Sequence, residues 1–476
     1  MRKLIFKYFL ITSIILFIAK FNAFTQIFDK EVYAQRRQQF MEKMDNGVAI
    51  FISPEVSNRN NDIDYKYRQN SDFYYLTGFT EPESAFVLSP GSEYEFVFFV
   101  KENNPMTKMW TGDICGVEGA MEKYGADTAI SFDQFSTLMP YVLRDKDVIY
   151  YNMSNDKFND EISEIINYRW GNTPKKIINT SELVHNMRII KSAYEIAQMQ
   201  KAIDATCEAH IEVLNLAEPG MYEYEVKALI EYIFAKNNCP REGFPSIVAS
   251  GPNATILHYK NQNRKMEDGD LLLMDIGAEF GYYSADITRT IPVNGKFTKE
   301  QKKLYEIVLS AQEMGIDMLK KGVGIEKIMN RMTEFAGEEL LKLGLITDKN
   351  SAWQSRLWYF PHTCHWLGLD VHDVNGNVEK NEDGVILQEG MVTTIEPGLY
   401  INPENIDNLK QILEAYRMQV TEEEINEFIA KVEPVVKKYA QIGIRIEDDI
   451  LITEDGNKNL SDKAPRTVKE IEEMMK

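Results

Sequence analysis

The chain has 476 residues, of which 44% are hydrophobic, 26% charged and 11% aromatic. This length is sufficient for two or three domains with a large core, and the composition is that of an ordinary globular protein. The formal net charge of −20 makes nucleic acid a poor partner, because an acidic surface repels a polyanion.

The N-terminal segment has the layout of a secretory signal. Basic residues precede an apolar run over residues 8–19, which is too short for a comfortable membrane span. The small residues Ala23 and Thr25 come before a cleavage site at Gln26. We therefore predict a signal over residues 1–25, export to the periplasm or the medium, and no stable membrane contact after cleavage. The alternative is an uncleaved segment that anchors the protein in the membrane.

Residues 26–180 alternate short apolar runs with helical stretches. Four runs are typical of strands: GVAIFIS, SAFVLS, YEFVFFV and DVIYYN. This alternation predicts an α/β domain with a mixed sheet, and we place its boundary near residue 180.

Beyond residue 180 the first prediction is a long helix that begins at Ser192, where SAYE fits a capping box. Its apolar stripe includes His210, which we interpret as a core histidine rather than a ligand. Further helices are predicted at about 298–321 and 325–343, and another begins at a second capping box, TEEE, at 421–424.

Past about residue 245, strands dominate the pattern. The predicted strands are SIVAS, DLLLMDIGA, YSADITRTIPV, MVTTIEPGLYI and GIRIEDDILIT. Together with the helices they predict an α+β domain over residues 181–476.

The four cysteines show neither a metal-type spacing nor the number needed for a disulfide framework in a chain of this length. We expect free thiols, most of them buried, at Cys115, Cys207, Cys239 and Cys364.

Carboxylates occur where the predicted strands should be apolar. These residues are Asp275, Asp286, Glu396 and Glu447. A buried carboxylate costs several kcal/mol unless it is paired or bound to a metal. A hairpin would bring Asp275 next to Asp286, and strand alternation places Glu447 on the same face as Arg445. Any one of the four could be an ion pair or a strand-end cap, but four in one domain favour a common site.

Three histidines lie close together in a segment between the predicted strands. The segment PHTCHWLGLDVHD, residues 361–373, holds His362, His365 and His372, half of the histidines in the chain. Carboxylate oxygens together with an imidazole suit manganese or a similar ion, and this number of ligands suits two ions.

These strands carry a family resemblance. The ordered segments LLLMDIGAEF, ADITRTIPVNGKF, HWLGLDVHD, TTIEPGLYI and GIRIEDDILIT closely resemble the aminopeptidase P (Xaa-Pro aminopeptidase) branch of the pita-bread metallopeptidases. RQNSDFYYLTGFTEPESAFVL, at 68–88, is similar to the same branch. The resemblance implies a creatinase-like N-terminal domain over 26–180, followed by a pita-bread catalytic domain over 181–476. It also implies a metal-dependent aminopeptidase that acts on peptides with proline in second position.

The resemblance further implies a role for each candidate residue. Two divalent ions, preferably manganese, would be held by five ligands: Asp275, Asp286, His365, Glu396 and Glu447. His258 and His372 would flank the scissile bond, and Arg445 would hold Glu447. The substrate-binding candidates are His362, Tyr400 and Trp110.

Trp110, in MWTG, resembles a family tryptophan that reaches the site of a neighbouring subunit. It therefore implies a homo-oligomer, a dimer or a tetramer. The alternative is a core tryptophan.

The chain departs from the family pattern in two places. Residues 403–440 form a longer link than is usual, which we interpret as a surface helical insertion. His362 lies three residues before His365, where the family commonly has four. In an extended segment this spacing puts the two rings on opposite faces, so either the backbone bulges to bring His362 back or the substrate contact is lost.

Two other functions are compatible with parts of this pattern. A prolidase would use the same metal ligands on Xaa-Pro dipeptides. A binding protein could keep the fold without the chemistry, but such proteins typically lose metal ligands, and all five are present here.

Overall fold

A computed structural model describes most of the chain. The described residues are 30–153, 156–167, 174–351, 353–361 and 363–476. They divide into two compact units, one ending at Ser181 and one beginning at Glu182. Within them, no helix combines the length and the apolar character that crossing a membrane requires. The predicted signal and His362 lie outside the described residues.

The N-terminal unit contains a mixed six-stranded sheet. The strands of the whole unit are β1 (Gly47–Ile52), β2 (Asn58–Asn60), β3 (Ile63–Asp64), β4 (Ala85–Leu88), β5 (Phe96–Val100), β6 (Thr128–Ser131), β7 (Val148–Tyr151) and β8 (Lys176–Ile178). Its helices are α1 (Lys30–Met41), α2 (Ser71–Thr77), α3 (Pro105–Thr111), α4 (Gly116–Glu122), α5 (Phe135–Val142) and α6 (Asp156–Ile166).

The sheet order is β6-β5-β4-β1-β7-β8, whereas β2 and β3 form a separate pair. The strand β1 pairs antiparallel with β4 and parallel with β7, which confirms the predicted mixed sheet. The four apolar runs form β1, β4, β5 and β7. Aromatic side chains fill one face, where Phe51 stacks on Phe86 with ring centroids 4.6 Å apart.

The C-terminal unit combines several small sheets with long helices. Its strands are β9 (Arg241–Glu242), β10 (Ile247–Ser250), β11 (Leu271–Ile276), β12 (Ala278–Phe280), β13 (Tyr283–Ser284), β14 (Ile287–Pro292), β15 (Lys380–Asn381), β16 (Gly384–Val385), β17 (Val392–Ile395), β18 (Gly398–Ile401), β19 (Ile442–Arg445), β20 (Asp448–Thr453) and β21 (Gly456–Asn459). Its helices are α7 (Ser181–Arg188, which begins at the division), α8 (Ala193–Leu216), α9 (Glu223–Lys236), α10 (Lys299–Met318), α11 (Ile325–Leu343), α12 (Glu404–Asp407), α13 (Leu409–Ala415), α14 (Glu422–Tyr439) and α15 (Val468–Met474).

The predicted helix starts are confirmed. Ser192 caps α8 and Thr421 caps α14, each through a complete capping box. Residues 403–440 hold α12, α13 and α14, whose inner faces bury Leu413 and Phe428 in the main core. This segment is therefore helical, as predicted, but one of its faces belongs to the core rather than to the surface.

The sheet β10-β11-β14 brings the first two carboxylates together. In its register Asp275 of β11 lies opposite Thr288 of β14. Asp286 precedes Thr288 by two residues, so both carboxylates point to the same face. The antiparallel pairing of β11 with β14 confirms the predicted hairpin, and the connection between the two strands contains a small pair formed by β12 and β13. Gly277 is required there, since a Cβ at this position would clash with the carbonyl oxygen of Ala285.

Candidate metal centre

A cavity of about 1040 Å³ opens in the C-terminal unit. Its apolar lining includes Phe244, Ile247, Phe360 and Val371. The predicted ligands and catalytic residues also line it: Asp275, Asp286, His365, Glu396, Glu447, His258, His372 and Arg445. The structure thus brings together residues from six separate strand or loop segments of the sequence.

Three of the predicted ligands form the tightest group. One potential ligand atom from each of Asp286, His365 and Glu447 lies within 4.8 Å of the others. The His365 Nε2 atom is 3.4 Å from Asp286 Oδ2, 3.6 Å from Glu396 Oε1 and 4.0 Å from Glu447 Oε1. The imidazole therefore faces three carboxylates at once.

The tautomer of His365 follows from its other nitrogen. Nδ1 lies 3.1 Å from the carbonyl oxygen of Trp366, which can only accept, so Nδ1 carries the proton and Nε2 offers a lone pair. Burial lowers the pKa of His365 to about 4, which keeps the ring neutral at pH 7. Thr393 and Thr394 fix the backbone, through the His365 carbonyl (2.9 Å) and the His365 N–H (3.2 Å) respectively.

The carboxylates in this group are crowded and incompletely satisfied. Burial, and then the charge of Glu447, raise the pKa of Asp286 well above its usual range. Burial, followed by Glu396 and Asp275, does the same to the pKa of Glu447, and burial raises the pKa of Glu396 to about 7. Three buried oxygens have no hydrogen-bond partner among the described residues: Asp275 Oδ1, Asp286 Oδ1 and Glu447 Oε1.

This donor set fits divalent cations. Buried carboxylate oxygens without donors are costly, and a cation would both satisfy them and favour the ionised forms. Four carboxylates and one neutral imidazole are the ligand types that manganese and similar ions accept.

Arg445 fixes the orientation of the carboxylates through hydrogen bonds, although its contacts differ from those that the sequence suggested. Its Nη2 donates to Asp275 Oδ2 (2.5 Å), its Nη1 to Tyr400 Oη (2.7 Å) and its Nε to Thr288 Oγ1 (3.2 Å). The Thr288 hydroxyl in turn donates to Glu447 Oε2 (2.7 Å). We expected Arg445 to hold Glu447 directly. Instead it holds Asp275, and its link to Glu447 passes through Thr288.

Tyr400 is placed differently from its prediction as a substrate-binding residue. Its side chain is 4% exposed, it is not among the residues that line the cavity, and its hydroxyl accepts from Arg445. The phenol oxygen therefore supports the Arg445 guanidinium.

The two predicted catalytic histidines lie on the cavity wall. The His372 ring packs edge-on against His365, with centroids 4.5 Å apart and an interplanar angle of 76°. His258 lies on the exposed part of the segment 256–262. His362 lies outside the described residues, so its contact with substrate stays a prediction.

Two further predictions concern the burial of a tryptophan and a histidine. Trp110, on α3 of the N-terminal unit, is 76% exposed, which excludes the alternative of a core tryptophan. His210 is fully buried and its Nε2–H donates to Ile287 O (3.1 Å), which confirms a core histidine.

All four cysteines are free. Cys207 and Cys239 are buried, whereas Cys115 and Cys364 are half-buried, so the expectation that most of them are buried is only half met.

Sequence reasoning missed the residues that orient the ligands. Thr288, Thr393 and Thr394 received no role, yet each makes a hydrogen bond that fixes a candidate ligand. Strand alternation could have found Thr288, because it stands two residues after Asp286 on the same face.

Comparisons with known proteins agree with this geometry. Residues 197–454 match the model of metallopeptidase family M24, and residues 33–150 match the aminopeptidase P N-terminal domain. The chain is 36% identical to the Xaa-Pro aminopeptidase of Escherichia coli K12, over 94% of this chain and 98% of that one.

Solved structures are also similar. Aminopeptidase PepP of Pseudomonas aeruginosa superimposes with a TM-score of 0.84 at 35% identity, over 94% of this chain and 98% of that chain. Zinc-substituted E. coli aminopeptidase P in complex with product gives a TM-score of 0.83 at 34% identity, with the same coverage.

Proposed function

The chain belongs to the aminopeptidase P branch of metallopeptidase family M24, and we propose that it releases the N-terminal residue from peptides with proline in second position. The observation that carries this proposal is the cavity where three buried carboxylates, the half-buried Glu396 and a neutral histidine meet an apolar wall. The similarity to an Xaa-Pro aminopeptidase over nearly the full length of both chains supports the substrate class.

We propose two divalent ions, manganese by preference, with Asp275, Asp286, His365, Glu396 and Glu447 as their ligands. Three buried oxygens that have no hydrogen-bond partner among the described residues, and the His365 Nε2 lone pair that faces the carboxylates, support this assignment. When bound, such ions polarise a carbonyl group and activate water for hydrolysis near neutral pH.

The remaining residues have separate tasks. The tertiary amide before proline offers no N–H to grip, so the apolar lining near Phe244, Ile247 and Phe360 would select the ring by shape. His258 and His372 would donate hydrogen bonds to the carbonyl oxygen as negative charge develops on it. Arg445 and Thr288 would keep Asp275 and Glu447 oriented throughout.

A peptide panel tests this function. After chelation, and then after separate addition of manganese, cobalt or zinc, the enzyme is assayed on Arg-Pro-Pro and on an Xaa-Pro dipeptide. We expect no turnover without metal, and cleavage of the tripeptide in clear preference to the dipeptide when metal returns. Preference for the dipeptide would identify a prolidase instead.

We further propose export and assembly. The mature chain would begin near Gln26, and exposed Trp110 would contact another copy in a homo-oligomer. N-terminal sequencing of the exported protein should start within a few residues of Gln26, and an intact Met1 in a membrane fraction would favour the anchor. A Trp110→Ala variant should shift the native mass toward the monomer, and an unchanged mass would count against the contact.

A further inference from the structure

Glu223, the first residue of α9, is fully buried, and the chemistry proposed above does not use it. Its Oε1 accepts from the Ser250 N–H (2.7 Å), the Ser250 hydroxyl (2.8 Å) and Asn253 Nδ2 (3.0 Å). Its Oε2 accepts from the Tyr259 hydroxyl (3.0 Å) and the Arg264 N–H (3.1 Å). Because a carboxylate offers about four lone-pair positions, its acceptor capacity is filled.

All five donors come from one segment, residues 250–264, and His258 lies inside it. Asn253 and Tyr259 bracket His258, so the carboxylate grips the chain on both sides of that ring. The backbone closes the same link, since the Glu223 N–H donates to Arg264 O (3.0 Å). Residues 256–260 and Gln262 of this segment also line the cavity.

The His258 side chain has no anchor of its own. Among the described residues it makes no hydrogen bond, ion pair or ring contact, and it faces the cavity. The next residue is fixed: Tyr259 is buried in a cluster with Leu273 and Tyr400. Burial, and then the bond to Glu223, raise the pKa of Tyr259, so its phenol stays a donor at neutral pH. The position of His258 therefore depends on its backbone segment.

We propose that Glu223 is a positioning residue, whose carboxylate fixes residues 250–264 and thereby holds His258 at the cavity wall. The role of His258 in turnover rests on the proposed function, whereas the ordering of the segment does not. A carboxylate is required because every neighbour donates. The amide nitrogen of a glutamine would face the backbone N–H of Ser250 or of Arg264, and neither can accept.

The first test compares two buried carboxylates. Glu223→Gln should lower kcat on Arg-Pro-Pro by on the order of 10- to 100-fold, with bound metal unchanged, because a small misplacement of a catalytic group is costly. Glu195→Gln is the matched control, since Glu195 is also buried and accepts from a serine N–H, a serine hydroxyl and a tyrosine hydroxyl. We expect the control to keep kcat within about twofold. An unchanged kcat in Glu223→Gln, or an equal loss in the control, would overturn the proposal.

A double-mutant cycle separates positioning from general structural damage. If Glu223 acts through His258, adding Glu223→Gln to His258→Ala should cost less than about threefold further in kcat. Losses that multiply fully would show that Glu223 acts elsewhere.

The last arm does not depend on activity. In the zinc-loaded enzyme, which is diamagnetic, the His258 side-chain NMR signal is assigned by its loss in His258→Ala. It should shift or broaden in Glu223→Gln while the His210 signal stays in place. An unmoved His258 signal would overturn the proposal, whereas a wild type inactive on Xaa-Pro peptides would contradict only the proposed function. If Glu223→Gln does not fold, Tyr259→Phe removes one donor and should move the same signal less; no movement would again overturn it.

Discussion

Glu447 and Asp448 are neighbours in the chain and equally buried, at 1% and 0% exposure, yet their surroundings differ completely. Asp448 accepts from Arg289 (2.7 Å), Ser461 (2.7 Å), Arg466 (3.0 Å) and Gln312 (3.1 Å). Glu447 accepts from Thr288 on Oε2, but its Oε1 has no donor among the described residues. The protein supplies hydrogen-bond donors to both oxygens of Asp448. Glu447 lines the cavity with one oxygen that has no donor among the described residues.

The two pKa directions record this difference. Although burial alone would raise it, the charge of Arg289 holds the pKa of Asp448 below its usual range. Burial and the nearby Glu396 push the pKa of Glu447 upward instead. A buried acid is therefore not by itself a sign of metal binding. The informative sign is a group of buried acids that line one cavity together and have oxygens without protein donors among the described residues.

The largest effect is expected from a substitution among the carboxylates that face the cavity without enough protein donors. Asp286→Ala should abolish turnover and lower the bound metal count, because we propose this residue as a ligand in the tightest part of the metal centre. Elemental analysis and the Arg-Pro-Pro assay check both expectations. Full metal content with retained activity would rule out Asp286 as a metal ligand.

Breaking the satisfied group should harm stability instead. Asp448→Asn leaves the buried Arg289 without a full counter-charge, which should lower the free energy of unfolding by about 3–5 kcal/mol. Metal content per folded molecule should stay unchanged. Asp462→Asn, at an exposed position, serves as control and should stay within about 0.5 kcal/mol in denaturant titrations. Equal stability of the two variants would contradict the contrast.

A third change leaves both groups intact. His372→Ala should lower kcat by on the order of 100-fold with metal still bound, because the lost hydrogen bond acts on charge that develops during the reaction. Steady-state kinetics on the tripeptide measure this. A change confined to KM would instead assign His372 to substrate binding.

A fourth prediction concerns the pH dependence that the buried histidine outside the cavity gives to stability. Burial, and then Arg289, lower the pKa of His210 to about 3, so the unfolded chain binds a proton below pH 6.5 that the folded protein does not. Stability should therefore fall as pH drops from 6.5 toward 4, by up to about 1.4 kcal/mol per pH unit from this group. His210→Gln keeps a donor for Ile287 O and should flatten the curve. Parallel curves for the two proteins would remove His210 as the cause.

The sequence predicted much of this contrast, but not all of it. Acidic residues on apolar strands identified Asp275, Asp286, Glu396 and Glu447, and the family order added His365. Strand alternation also separates Glu447 from Asp448, since consecutive side chains point to opposite faces. The sequence could not show which of these two residues pairs with an arginine, because Arg289 comes from a strand far away in the sequence. The contact of Arg445 with Asp275, rather than with Glu447, could not be predicted for the same reason, because packing decides which residue of another strand a side chain contacts.

Measuring bound metal in variants of these two neighbouring residues distinguishes a metal ligand from a carboxylate that the protein itself satisfies. Wild type, Glu447→Gln and Asp448→Asn are stripped with chelator, dialysed against manganese, and analysed for metal per folded chain. We expect two ions in wild type and in Asp448→Asn, and fewer than two in Glu447→Gln. Loss in Asp448→Asn with full content in Glu447→Gln would contradict this expectation.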